Sequence, residues 1–97
     1  MRTKLDFRNE INTIYQDCKD KLKSFSDKVQ SLEDLGKFYD KSLQEFYKFM
    51  PYYSFYIYKD LSYEDCLELN GYGLEKSGDL HKYYSYLYKE KCNEFNN

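Results

Sequence analysis

The chain has 97 residues, of which 33% are charged, and its 15 Lys and Arg against 17 Asp and Glu give a formal net charge of −2. A chain of this length forms one domain with a limited core. The near balance of charges argues against a nucleic-acid partner, because phosphate binding needs an excess of positive charge. No stretch approaches the roughly 20 apolar residues that a membrane span needs, so we predict no membrane-spanning helix in this chain.

Residues 5–50 carry the period of an amphipathic helix. The apolar positions recur with a mean spacing of about 3.6 residues, as one buried helical stripe requires. They are Phe7, Ile11, Ile14, Cys18, Leu22, Phe25, Val29, Leu32, Leu35, Tyr39, Leu43, Phe46 and Met50. Ser31 followed by Glu33 has the composition of a helix start, and Gly36 disfavours an uninterrupted helix. We therefore predict a bend or break at residues 30–36, with one long bent helix as the alternative.

An aromatic segment follows at residues 51–61. Pro51 predicts the end of the preceding helix, because it lacks an amide donor and disfavours helical dihedrals at Met50. Pro51 is equally compatible with the first position of a new helix. The composition of the segment is typical of a strand, but no second strand is predicted to pair with it. We interpret it as a short helix or an extended packed segment.

The remaining chain is predicted to form two helices. Ser62 with two acids after it has the pattern of an N-cap, and Asn70-Gly71 has the pattern of a helix end, which gives a short helix over residues 62–70. Glycines mark residues 71–78 as a loop, and Asp79 caps a last helix over residues 79–95. The prediction is an all-α domain over residues 1–97, a small bundle of three to five helices with one long N-terminal amphipathic helix, straight or bent.

The sequence offers little chemistry of its own. His81 is the only histidine, and Cys92 lies about 16 Å away along the same predicted helix, so the two do not form a catalytic pair. No CxxC spacing exists, which argues against a structural zinc site. We predict no catalytic residue, no metal ligand and no cofactor, and hence a protein that is not an enzyme.

Three cysteines, Cys18, Cys66 and Cys92, are candidates for a disulfide or for free thiols. Cys18 lies on the apolar stripe, where cysteine packs as a small hydrophobe. On an antiparallel hairpin Cys66 and Cys92 would lie at different distances from the turn, which disfavours their pairing unless the helices cross. An odd number leaves at least one thiol free or paired outside the chain, and the redox state stays open.

The tyrosines are the one feature with functional content. The chain has 13 of them and no tryptophan. Tyrosine brings large contact area at low entropic cost and is enriched at protein interfaces, although any single ring is more often part of a core. We predict that Tyr52, Tyr53, Tyr56 and Tyr58 form an interaction surface for a protein partner of unknown identity.

A family resemblance rests on three segments, Met50–Tyr56, Leu61–Cys66 and Leu80–Lys89, and on the final Cys92–Asn97. Together they resemble the N-terminal region of the variant interspersed-repeat (Vir or PIR) proteins of malaria parasites, which have an aromatic motif after a proline, spaced cysteines and tyrosine-rich helices. The resemblance implies a non-enzymatic helical module linked to antigenic variation, exported into the infected red cell or exposed on its surface. Members continue into further cysteines and a transmembrane segment, which would make this chain a fragment or a truncated product.

The expected function is therefore that of a variant surface-antigen-like module in host interaction or immune evasion. The alternative is a small soluble inhibitor or adaptor of viral or phage accessory type, which would bind its partner in the cytoplasm. An enzyme is the third reading, and it requires His81, a cysteine and an acid to converge in one pocket. The oligomeric state is not predicted.

Overall fold

Three α-helices and two short 3-10 helices make up the structure. The computed structural model describes residues 1–96 and contains α1 (Lys4–Asp27), α2 (Leu32–Tyr47), 3-10 helices at Met50–Tyr53 and Phe55–Tyr58, and α3 (Tyr63–Phe95). The predicted all-α bundle with a long N-terminal helix is confirmed. Over the same residues, no helix has an apolar stretch long enough to cross a bilayer.

Helices α1 and α2 are separated by a short break. α1 begins with a capping box, in which Thr3 and Asp6 exchange side-chain to backbone hydrogen bonds. α2 begins at Leu32 and is capped by Ser31, whose hydroxyl accepts from the backbone N–H of Asp34. The break falls at residues 28–31, at the N-terminal edge of the predicted interval, and Gly36 lies inside α2.

The buried face of α2 differs from the predicted one. Its buried positions, together with the residue that follows the helix, are Leu35, Phe38, Ser42, Glu45 and Phe49, whereas Tyr39 and Met50 are exposed. α2 starts anew after Ser31 and packs against α3 through Phe38, whose ring centroid lies 5.0 Å from that of Tyr84. The buried stripe of α2 is therefore displaced by one residue after Leu35. The apolar period missed this shift because two of the buried positions are polar.

Those two polar residues are satisfied within the fold. The hydroxyl of Ser42 donates to the carbonyl of Tyr39 at 2.7 Å. The carboxylate of Glu45 accepts from the ammonium of Lys48 at 2.8 Å. A buried polar group with a partner costs little, whereas one without a partner costs about 1 to 3 kcal/mol. Helix α2 therefore tolerates a partly polar inner face.

Helix α3 runs without interruption over the region predicted as the helix 62–70, the loop 71–78 and the helix 79–95. The predicted N-cap at Ser62 is present, its hydroxyl accepting from the N–H of Asp65. The predicted loop is helical, and no glycine has a positive φ. Each glycine costs about 1 kcal/mol relative to alanine, but burying a leucine gains roughly 1.5 to 3 kcal/mol. The buried leucines of α3 are Leu69, Leu80 and Leu87, and their packing outweighs the glycine cost.

The glycines of α3 have different surroundings. A Cβ atom placed on Gly73 would lie 3.3 Å from the Cβ of Tyr52, so the glycine allows the aromatic segment to approach the helix backbone closely. A Cβ on Gly71 or Gly78 would meet nothing within 4 Å. Only Gly73 is therefore required by packing.

We expect Gly71→Ala and Gly78→Ala each to raise the free energy of unfolding by up to about 1 kcal/mol, because alanine removes the helix-propensity cost of glycine without a clash. Urea unfolding at low micromolar protein concentration measures the change. A loop at residues 71–78 with left-handed glycines would give the opposite sign, so destabilisation by both variants would contradict the continuous helix.

The helices form a rod of 53 × 17 × 17 Å in which α1 and α3 are parallel. Lys4 pairs with Glu68 at 2.9 Å near their starts, and the ammonium of Lys19 lies 5.0 Å from the ring of Tyr83 further along. Helix α2 runs antiparallel to both along the second half of the rod. The aromatic segment continues in the direction of α2 along the first half, where it takes the place of a third helix.

Candidate functional site

The aromatic segment is fixed to the bundle by a small hydrogen-bond network. The hydroxyl of Tyr58 donates to the carbonyl of Tyr52 at 3.0 Å. The amide of Asn70, on α3, donates to the carbonyls of Tyr52 and Tyr53 at 3.3 and 2.6 Å. The ring of Phe7 meets that of Tyr58 edge to face, with the centroids 5.0 Å apart. The two 3-10 helices are thus held in place by both α1 and α3.

The four predicted surface tyrosines do not share one environment. Tyr52 and Tyr58 are buried in the core, Tyr53 is half-buried, and Tyr56 is 77% exposed. Burial raises the pKa of Tyr52 to about 12. The prediction of an interaction surface is thus wrong for Tyr52 and Tyr58, because the first half of the rod lacks a third α-helix and their rings fill that space.

Exposed aromatic side chains gather at the end of the rod where α3 begins. We call Pro51, Phe55, Tyr56 and Tyr63 the end patch. Phe55, Tyr56 and Tyr63 are 44%, 77% and 70% exposed, and the rings of Phe55 and Tyr63 lie 6.0 Å apart. A groove of about 400 Å³ runs beside Pro51 and Tyr56 and is mainly apolar. The end patch therefore offers convex rings next to an open apolar groove.

One charged side chain, Lys59, lines the groove of the end patch. The ammonium of Lys59 lies 5.3 Å from the centre of the Tyr56 ring, within the range of a cation–π contact. Phe55 and Tyr63 were not predicted as surface residues. A signal was present, because each directly follows a serine that caps a helix, Ser54 and Ser62, and residues in a first helical turn beside a cap are often solvent-exposed.

A second apolar groove, also of about 400 Å³, lies between α2 and α3 and is lined by Tyr39, Tyr84 and Tyr88. The Tyr84 ring packs on Phe38 and Phe46, with centroids 5.0 and 5.8 Å apart. These rings hold α2 against α3. This groove therefore follows the contact between α2 and α3, and we consider it a less favourable binding surface than the end patch.

His81 lies on the exposed side of α3, and its ring stacks on Phe46 with the centroids 3.9 Å apart. This contact gives the imidazole a packing role between α2 and α3. Over the described residues, no group of three or more His, Cys, Asp or Glu side chains is placed to hold a metal ion.

Comparison of the chain with protein-family models, curated proteins and solved structures finds no match.

The three cysteines are free and lie far apart. Cys66 and Cys92 are on one continuous helix, about 39 Å apart, rather than on the two arms of a hairpin. Cys18 lies roughly level with Tyr83 on the parallel helix, so it is about 14 Å from Cys92 and about 25 Å from Cys66 along the rod. A disulfide needs Cα atoms within about 7 Å, which excludes all three pairings in this fold.

We expect one fast-reacting thiol in the native protein and three after unfolding. Cys18 and Cys66 are buried and Cys92 is half-buried. Burial also raises the pKa of Cys18 to about 11, which removes its reactive thiolate near neutral pH. Ellman titration with and without denaturant measures the count. Fewer than three thiols in the unfolded, unreduced protein would contradict the absence of a disulfide.

Proposed function

We propose that this chain is a non-enzymatic protein-binding module whose contact surface is the end patch. The observation that carries the proposal is the exposure of Phe55, Tyr56 and Tyr63 together beside an apolar groove. Monomeric proteins seldom leave contiguous apolar surface uncovered, and such patches commonly mark binding sites. Aromatic rings in particular dominate the energy of protein interfaces.

The backbone beneath the end patch is held in place, and this favours binding. The aromatic segment is anchored by Asn70 and by the buried Tyr58, so its exposed rings stand on a fixed backbone. A rigid surface loses little conformational entropy on binding, which raises affinity for a given contact area. The exposed rings and the apolar groove favour a partner that also presents an apolar surface.

Within this class, the resemblance to the variant interspersed-repeat proteins favours a role in host interaction or immune evasion. That family assignment stays a prediction, since no family model bears on it. One observation favours the alternative of a small inhibitor or adaptor. The cysteines are too far apart to pair, and unpaired thiols are typical of proteins that work in a reducing compartment.

A crosslinking experiment tests the end patch. A photoreactive phenylalanine analogue at Tyr56 should crosslink a partner protein in extracts of the source cell, and the same analogue at Tyr86 should not. Tyr86 is a matched control because it is 58% exposed and lies on the far half of α3. In a second arm, Tyr56→Ala should reduce capture of the identified partner by 10-fold or more, since an interface tyrosine often contributes about 2 kcal/mol.

The fold must be monitored in parallel. Because Tyr56 is exposed, Tyr56→Ala should change the free energy of unfolding by less than about 0.5 kcal/mol. Equal crosslinking from positions 56 and 86, or unchanged capture by Tyr56→Ala, would refute the end patch as the binding surface.

A further inference from the structure

A second exposed apolar surface lies along α3, separate from the end patch. Leu67 and Leu74 are 46% and 54% exposed, and Gly71 and Gly78 lie between and beyond them with open space around their Cα atoms. At 3.6 residues per turn these four positions fall within an arc of about 60°. We call them the outer stripe. The arc points away from the buried face that carries Leu69 and Leu80.

The spacing within the outer stripe is 4, 3 and 4 residues, which is the a and d spacing of a coiled coil. Large and small residues alternate along it. A two-fold axis placed midway between Tyr72 and Gly73 relates residue 67 to residue 78 and residue 71 to residue 74. An antiparallel second copy of α3 therefore presents a glycine opposite each leucine. Self-complementarity of this kind is the requirement of a symmetric dimer.

The charges just beyond the outer stripe also match in this register. The same axis brings Glu64 of one copy opposite His81 of the other, with Lys82 next to it. All three side chains are exposed. An acid thus meets a lysine and a histidine at both ends of the contact, which sets the register and opposes a parallel arrangement.

We propose that a second copy of this chain packs antiparallel on the outer stripe, with Leu67 and Leu74 of each copy seated over Gly78 and Gly71 of the other. Glycine lets the helix backbones approach closely, so the leucines gain contact with the facing backbone. The contact extends over about 27 Å from Glu64 to Lys82. A contact of this length along one helix buries an area at the small end of specific interfaces, so we expect a dissociation constant between about 1 µM and 1 mM.

One edge of the contact carries like charges. Glu68 and Glu75 lie on the same side of α3, and the register brings Glu75 near Glu68 of the other copy. Lys4 pairs with Glu68 at 2.9 Å and offsets part of the repulsion. The remainder weakens the dimer, and salt should relieve it. Salt also screens the attraction between Glu64 and Lys82 at the two ends, so ionic strength acts on the dimer in both directions.

Sedimentation equilibrium over about 5 µM to 1 mM protein tests the association and its location. The wild-type chain should dimerise, and Leu74→Glu should raise the dissociation constant at least 10-fold by placing a charge in the stripe. Tyr86→Glu is the matched control, since Tyr86 is similarly exposed on α3 but lies off the stripe. A monomer at 1 mM, or equal effects of the two variants, would overturn the proposal.

A size exchange tests the register. Gly78→Leu alone should weaken the dimer, because it opposes a leucine to Leu67. Adding Leu67→Ala should restore it, because the large and small partners are then exchanged. Adding Leu74→Ala to Gly78→Leu should not restore it. None of these positions is buried, so each variant should fold. Rescue by Leu74→Ala, or by neither change, would refute the register.

Distance measurement tests the orientation independently. Spin labels on the accessible Cys92 of both copies should lie about 58 Å apart in the antiparallel dimer. A parallel dimer would bring them within roughly 20 Å of each other. Double electron–electron resonance separates these distances, and a short distance would overturn the antiparallel arrangement.

Discussion

Replacing Tyr58 with alanine is expected to lower the free energy of unfolding by about 3 to 5 kcal/mol, the loss typical of a fully buried aromatic ring. The Tyr58 side chain is completely buried, contacts Phe7 edge to face and donates its hydroxyl proton to the carbonyl of Tyr52. A domain of this size has only about 5 to 15 kcal/mol of stability in total. Tyr58→Ala should therefore melt far below the wild-type protein in a thermal scan by circular dichroism.

Two further variants separate the contributions to this loss. Tyr58→Phe keeps the ring but removes the hydrogen bond, so it should cost about 1 to 2 kcal/mol. Tyr56→Ala, two residues earlier, truncates an exposed ring and should cost less than about 0.5 kcal/mol. If Tyr56→Ala destabilised the protein as much as Tyr58→Ala, the placement of the two tyrosines would be wrong.

Gly73→Leu is expected to destabilise the protein by about 1 to 3 kcal/mol, the usual cost of overpacking. A Cβ at this position already lies 3.3 Å from the Cβ and 3.6 Å from the carbonyl oxygen of Tyr52. The rest of a leucine side chain has no space unless the aromatic segment moves away from α3. Urea unfolding measures the loss, and near-ultraviolet circular dichroism reports the displaced tyrosine rings.

Gly71→Leu is the matched control for this change. It lies two residues away on the same helix, has open space at its Cα atom, and should raise stability by up to about 1 kcal/mol through helix propensity. The two substitutions thus have opposite expected signs. Equal stabilisation by both would mean that the aromatic segment does not approach α3 at Gly73.

Local signals in the sequence were sufficient for the starts of α2 and α3, although Asp79, which was predicted to cap a further helix, lies inside α3. Ser31 and Ser62 are each followed by acids, and both cap a helix through the backbone N–H three residues on. The apolar period also identified the buried positions of α1, such as Ile11 and Leu22. These features depend on neighbouring residues alone, which is why the sequence was enough to predict them.

The predictions that were wrong concern features that depend on residues distant in the sequence. The glycines of α3 have loop-forming composition, and only packing against α1, α2 and the aromatic segment keeps that region helical. The shift of the α2 stripe depends on partners for Ser42 and Glu45, which no spacing rule supplies. The burial of Tyr52 and Tyr58 likewise follows from the missing third helix in half of the rod, while the exposed Phe55 and Tyr63 of the end patch had only their caps as a signal.

The parallel alignment of α1 and α3 has a consequence for folding kinetics. The Lys4 and Glu68 pair joins residues 64 positions apart, so docking α3 on α1 requires closure of a long loop, and its entropic cost precedes any gain in contacts. Helices α1 and α2 form an antiparallel hairpin with a short connection and are able to meet first. We therefore expect α3 to dock late, so that destabilising changes in α3 speed unfolding more than they slow folding.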